Sequence, residues 1–255
     1  MRPLGLLLSG GVDSALLLVH LLQQGERVQP FYVRCGLAWE AEEQRAVEAL
    51  LAAVHSSRVA PLVTFDMPLR DLYDGHWSLT GRGAPAAGTP DDAMYLPGRN
   101  PLLLIKPLLW CHLRGIRHLA LGTLQSNPFA DAQPDFLVQF GQAIGRAVAP
   151  QAGDGSPPYV EILRPFAGYT KQQIVQRFRT APLEHTFSCA SPLGGRHCGQ
   201  CNKCEERQRA FALAGRPDPT VYAMPAAAPR DANSSAYDNP QSRAPGGHDP
   251  PVAPR

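Results

Sequence analysis

Long apolar runs are missing from this chain. Polar residues or proline interrupt every apolar stretch short of the roughly 20 residues that a bilayer-spanning helix needs, which excludes a helical membrane span. An excess of charge is missing too: 24 Lys and Arg stand against 22 Asp and Glu, for a formal net charge of +2. That balance argues against a broad electrostatic grip on nucleic acid and favours a small neutral or anionic substrate. The amino end starts directly on an apolar strand pattern with no signal-peptide organisation, so the chain is expected to be cytoplasmic. No internal repeat is found, and the Gly-x-x-x-x-Gly-Lys-Ser/Thr phosphate loop is absent. Cysteine is scarce outside one cluster. Cys35 and Cys111 stand alone and read as small apolar residues, whereas Cys189, Cys198, Cys201 and Cys204 crowd together. In a reducing compartment that grouping points to metal rather than to disulfides.

With 255 residues, 44% of them hydrophobic, the chain can build one sizeable α/β domain and a small appendage. Leu4 to Leu8 reads as a buried parallel strand, and Val12 to Gln24 carries apolar residues at helical spacing. Between them lies Ser9-Gly10-Gly11-Val12-Asp13-Ser14. A strand-to-helix junction leaves backbone N–H groups pointing outward, the two glycines let the main chain approach a phosphate, and the Ser9 and Ser14 hydroxyls can donate to its oxygens. The string therefore reads as a pyrophosphate cradle; the plainer alternative is a glycine-rich turn with a Ser/Asp cap.

Strands are expected at Val28–Arg34, Val59–Phe65, Ile116–Gly122 and Tyr159–Leu163. Helices are expected at Glu40–His55, Pro101–Arg114, Pro134–Ala149 and Thr170–Arg179, the last capped by Thr170. Pro107 predicts a kink or break in the helix around it. This alternation implies a doubly wound parallel sheet with helices on both faces, its ligand at the C-terminal strand edges near the point where strand order reverses. Residues 66–100, rich in Gly, Pro and Asp, read as a lid or binding loop. The organisation expected is an α/β domain over 1–183, a cysteine-bearing segment and helix over 184–222, and a disordered Pro/Ala-rich tail over 223–255.

The spacing Cys189-x8-Cys198-x2-Cys201-x2-Cys204, with Gly194, Gly195 and Gly199 to permit tight turns, offers four convergent thiolates. Tetrahedral zinc in a closed, structural site suits that set, and an iron–sulfur cluster is the alternative. His185 and His197 flank the cysteines as surplus donors.

The glycine–serine loop resembles the PP-loop of the N-type ATP pyrophosphatases, which cleave ATP between its α- and β-phosphates. With Leu96-Pro97-Gly98-Arg99-Asn100, the cysteine spacing, Phe187-Ser188 before the first cysteine and Glu205-Glu206-Arg207 after the last, residues 4–215 resemble the 7-cyano-7-deazaguanine synthase family. The resemblance implies an ATP-dependent ligase that adenylates 7-carboxy-7-deazaguanine and uses ammonia to reach the nitrile, with two ATP converted to AMP and pyrophosphate. It implies that Leu8, Ser9, Gly10, Gly11, Val12, Asp13 and Ser14 hold nucleotide and Mg²⁺, with Asp13 and Ser14 catalytic. Gly98, Arg99, Asn100, Asp131 and Lys171 would then contact substrate or phosphate, zinc would be structural, and a homodimer follows by analogy alone. Phe129-Ala130-Asp131-Ala132-Gln133-Pro134-Asp135-Phe136 stands where the family carries Tyr-Pro-Asp-Cys-Arg-Pro-Glu-Phe, so Asp131 matches and an arginine is replaced by Gln133. Likewise Val33-Arg34-Cys35-Gly36 stands where the family shows Gly-Gln-Arg-His. One rival is a relative that adenylates another carboxylate or carbonyl acceptor, in a small molecule, a tRNA base or a protein. Another is a non-catalytic zinc-bearing nucleic-acid module, against which Glu205 and Glu206 interrupt the basic residues near the cysteines.

Overall fold

A computed structural model of the chain describes residues 2–148 and 159–226. Five strands, β1 (Leu4–Leu7), β2 (Val28–Arg34), β3 (Val63–Asp66), β4 (His118–Ala120) and β5 (Glu161–Leu163), form one parallel sheet in the order β3-β2-β1-β4-β5. The reversal of order falls between β1 and β4. The loops leaving the C-terminal ends of those two strands therefore diverge and open a crevice there.

Helices α1 (Val12–Gln23), α2 (Glu40–Val54) and α6 (Lys171–Arg177) bury Leu16, Leu50 and Ile174 in a shared core on one face of the sheet. On the other face, α4 (Arg99–Leu113) and α5 (Pro134–Val148) supply Leu104, Leu108 and Leu137. A third cluster lies at the C-terminal strand ends, where Val33, Trp39, Met94 and Leu96 pack against Phe187 and the four clustered cysteines. Helix α3 (Trp77–Thr80) is a single turn within the long loop after β3, and α7 (Asn202–Leu213) follows the cysteines and inserts Phe211 into the first core.

Several expectations need correction. The third strand starts at Val63, because Val59 makes only an isolated bridge to Val28 and Pro61 lacks the N–H for a ladder bond. Pro107 does not break α4. It sits on the buried stripe with Leu104, Leu108 and Cys111, so its burial offsets the lost hydrogen bond. That helix also begins two residues before Pro101, because the buried Asp131 carboxylate accepts the Asn100 N–H at 3.1 Å and so caps its first turn. Strand β4 is three residues long, although Leu121 still donates to the Leu163 carbonyl at 2.9 Å. Thr170 caps α6 through a reciprocal box with Gln173, as its sequence position predicts. Of the Pro/Ala-rich stretch, residues 227–255 lie outside the described residues. Its first residues are paired rather than free: Ala223 N–H donates to the His197 carbonyl at 2.8 Å and Met224 N–H to that of Cys198 at 3.2 Å.

Candidate active site and metal centre

The loop after β1 lies in the crevice at the strand reversal. Gly10 has φ +76°, and a Cβ there would lie 2.8 Å from the Glu43 carbonyl of α2. Its own carbonyl accepts the Phe187 N–H at 2.8 Å, so the loop is held between α2 and the segment that leads into the cysteines. The first intrahelical bond of α1 runs from Ala15 N–H to the Gly11 carbonyl at 3.0 Å, which leaves the earlier amides of the turn for a ligand. Ser14 Oγ donates to the Gly11 carbonyl at 3.1 Å and lies 3.2 Å from Ser9 Oγ, bringing both predicted hydroxyls to one point. Gly122, just past β4, backs this turn so closely that a Cβ would fall 3.1 Å from the Asp13 and Ser14 backbone.

Gly10→Ala is expected to cost about 1–2 kcal/mol in the left-handed backbone alone and to weaken nucleotide binding as the loop shifts off Glu43. Thermal unfolding and ATP titration check this. Gly11→Ala is the comparison, since Gly11 has φ −76° and the nearest atom to its added Cβ would be 3.6 Å away. Equal losses from both substitutions would sink the argument.

Asp13 and Lys171 enter a chain of alternating charge. Lys171 Nζ lies 3.2 Å from Asp13 Oδ2 and 2.6 Å from Glu206 Oε1, and Glu206 Oε2 lies 2.8 Å from Lys203 Nζ. Burial pushes the Asp13 carboxyl above its usual range, against the opposing pull of Lys171. Burial would likewise raise Glu206, but Lys171 and Lys203 outweigh it and hold that carboxyl at about 2. Lys171 stays above the ordinary ammonium range even though burial alone would lower it, because two carboxylates flank it. The other Asp13 oxygen, Oδ1, is buried without a hydrogen-bond partner, an open lone-pair site of the kind a divalent cation takes.

A cavity of about 360 Å³ opens over this loop, lined by Ser9, Asp13, Arg99, Asn100, Phe129 and Lys171 among others. Arg99 and Asn100 occupy the first turn of α4, after Gly98 at φ +75°; Gly98 itself supplies the turn and does not line the cavity. Arg99 Nε is buried without a partner, while Asn100 Nδ2 donates to Asp131 Oδ1 at 2.9 Å. The Asp131 carboxylate is thus occupied on both oxygens by Asn100 and stands behind the cavity wall. It orients Asn100, and it is not itself among the residues that line the cavity.

The cavity also presents residues that sequence reading missed: Trp39, Glu43, Ser188, Lys203 and Glu206. Glu43 accepts from Trp39 Nε1 at 3.0 Å and from the Tyr32 hydroxyl at 3.4 Å. The four-residue spacing from Trp39, the residue before α2, to Glu43 within it was a visible signal, but nothing local says that this face looks into a site.

The four cysteine sulfurs lie within 4.8 Å of one another, with Cys189 to Cys201 at 3.9 Å and Cys198 to Cys204 at 3.8 Å. Four Zn–S bonds of about 2.3 Å in a tetrahedron need sulfurs about 3.8 Å apart, so the set fits a single ion. Sulfurs that converge on one point leave no room for the inorganic core of an iron–sulfur cluster. Backbone amides of Ala190, Ser191, Cys198, Gly199 and Gln200 donate to these sulfurs at 3.2–3.5 Å, the support that thiolates need. Gly194, Gly195 and Gly199 have φ values of +56°, +75° and +87°, the tight turns expected of them. His197 is buried beside the cluster but accepts the Ser188 N–H at 3.0 Å, which takes its Nε2 out of the ligand set.

Curated relatives match nearly end to end. A 7-cyano-7-deazaguanine synthase of Magnetococcus marinus is 30% identical over 86% of this chain and 96% of its own length. One from Methanothrix thermoacetophila is 31% identical over 85% of this chain and 96% of its own. Among solved structures, a 4-thiouridine synthetase in complex with RNA and ATP is 17% identical. That match covers 86% of this chain and 47% of the other, with a TM-score of 0.44, a likeness too loose to bear on the site. The family described as queuosine biosynthesis protein QueC matches residues 5–215, and the chain belongs to it.

Proposed function

We propose that this chain is an ATP-dependent ligase that adenylates 7-carboxy-7-deazaguanine and uses ammonia to form 7-cyano-7-deazaguanine, releasing AMP and pyrophosphate. The observation that carries the reading is the phosphate cradle at the strand reversal, opening on a cavity whose facing wall holds an unpartnered guanidinium edge. A carboxylate oxygen is a poor leaving group, so its attack on the α-phosphorus of ATP makes the acyl carbon reactive. Ammonia then displaces AMP to give the amide, and activation of the amide oxygen allows elimination to the nitrile.

The protein's share is positioning and charge neutralisation. Amides after Gly10 and the Ser9 and Ser14 hydroxyls hold the β- and γ-phosphates, with Leu8 and Val12 fixing the turn from beneath. Lys171 and Lys203 face the same phosphates, and Arg99 meets the α-phosphate or the acceptor carboxylate with its fork of N–H donors. Asn100, set by Asp131, reads a polar edge of the ribose or base. Asp13 Oδ1 suits Mg²⁺, which would neutralise pyrophosphate charge there. Zinc on the four cysteines would be structural, since all four donors are protein groups.

A second reading, a different acceptor with the same activation chemistry, is favoured by the 127–133 loop. Gln133 Nε2 donates to the Phe129 carbonyl at 3.1 Å and so shapes the loop, while Phe129 carries an apolar ring into the cavity, stacked on Tyr95 at 5.1 Å. The test is incubation with ATP, Mg²⁺, ammonium and 7-carboxy-7-deazaguanine, followed by mass spectrometry. AMP together with the nitrile is the expected result. AMP only with some other carboxylate keeps the activation chemistry and discards the acceptor; ADP discards both.

A further inference from the structure

The ligase reading, on which this inference rests, leaves one half-buried acid of the cavity without a task. At neutral pH the nitrogen donor is almost entirely ammonium, which has no lone pair with which to attack. A site that uses it must bind a small cation beside the activated carbonyl and remove a proton. Glu43 is placed for both. Glu43 lines the cavity, its backbone carbonyl packs against Gly10 of the loop after β1, and Trp39 Nε1 and the Tyr32 hydroxyl hold its carboxylate in one orientation. A neutral amide would serve those two donors at a lower desolvation cost, so an acid here calls for a reason beyond packing.

We propose that Glu43 is the general base that binds ammonium in this cavity and takes its proton, delivering ammonia to the adenylated acceptor. The carboxylate accepts one proton from ammonium, and the lone pair thus freed forms the new C–N bond with the acyl carbon. The C–O bond to AMP breaks, and AMP leaves with the electron pair. The added nitrogen sheds one further proton to solvent, leaving a neutral amide, and Glu43 returns its own proton to water. No oxidation or reduction occurs.

The protonation equilibrium agrees with this task. Burial pushes the Glu43 carboxyl up to about 7, with Arg99, Trp39 and Tyr32 pulling the other way and Glu40 adding to the rise. The charged or titratable groups around it are Arg99 from α4, Glu40 from its own helix, and Tyr32 and Cys35 from β2 and the turn after it. The base form grows as pH rises through about 7.

Glu43→Gln separates the steps. Exchange of pyrophosphate into ATP, driven by the acceptor without ammonium, should stay within about twofold of wild type, whereas ammonium-supported AMP release at neutral pH should fall by about 10² or more. Hydroxylamine, already unprotonated at neutral pH, should restore AMP release to near the wild-type rate. At fixed total ammonium the wild-type rate should rise and level off above about pH 7. The variant's rate should go on rising with the free ammonia concentration. Glu43→Asp, which keeps the acid on a shorter arm, should retain part of the ammonium rate and all of the hydroxylamine rate, and it serves if the glutamine variant is unstable. Loss of exchange in the glutamine variant would make Glu43 a binding group and overturn the proposal. So would equal losses with ammonium and hydroxylamine, or an undiminished ammonium rate. Absence of exchange in the wild type would instead bring down the ligase reading itself.

Discussion

Asp13→Asn is expected to lower AMP release by about 10²–10³ or more, the range seen when a single pre-aimed charge-stabilising group is removed from an active site. The substitution is nearly isosteric, and Lys171 retains Glu206 at 2.6 Å, so the fold should survive it. What is lost is the charge at Oδ1, a buried oxygen with no partner of its own, held in a site costly enough to push the carboxyl above its usual range. A neutral amide neither attracts a divalent cation nor offsets the positive field of Lys171. Discontinuous assay of AMP alongside zinc analysis gives the check: AMP should nearly vanish while zinc content stays at the wild-type level. An asparagine variant that turns over at the wild-type rate would remove the loop from the chemistry altogether.

The centre of the sheet was legible because β1 and β2 are buried along nearly their whole length and carry mostly apolar residues, whereas β3 and β5, partly exposed at the sheet's edges, gave weaker signals. The loop between β1 and α1 was legible as a strand-to-helix turn because glycine, serine and aspartate at such a junction leave few alternatives. The cysteine cluster was legible from spacing alone. What stayed hidden depends on tertiary neighbours. Asp131 lies 31 residues from Asn100, and only the packing of α4 against the turn before α5 makes it a cap for that helix. Lys171 was recognisable as a phosphate candidate, yet its tie to Glu206 joins two helices whose adjacency no local pattern announces. Pro107 misled because helix propensity is priced for an exposed helix, whereas here the ring is part of the core.

Cys204→Ser should have the largest effect on stability. Cys204 is fully buried, its sulfur lies 3.8 Å from that of Cys198, and the Gly199 amide donates to it at 3.4 Å. A serine hydroxyl at neutral pH is not a thiolate, so the site loses a ligand, and with it much of a metal-binding free energy that runs to about 10–16 kcal/mol in small zinc domains. Against a total stability of about 5–15 kcal/mol for an ordinary domain, the loss cannot remain local. The first turns of α7 carry Cys204 together with Lys203, Glu206 and Arg207. Arg207 is 1% exposed, donates to Thr186 Oγ1 at 2.8 Å and the Leu183 carbonyl at 3.1 Å, and pairs with Asp218 at 3.3 Å. If α7 slips, that charge is left uncompensated and Lys171 loses Glu206, so the damage reaches the loop after β1 through the Lys171–Asp13 pair. The dependence runs one way: Cys204→Ser should lower zinc content, melting temperature and nucleotide binding together, whereas Asp13→Asn should leave zinc and melting temperature in place. Metal analysis, thermal unfolding and ATP titration on both variants test the asymmetry. A serine variant that keeps its zinc and its melting temperature would show that Cys204 is not needed to hold the metal or α7.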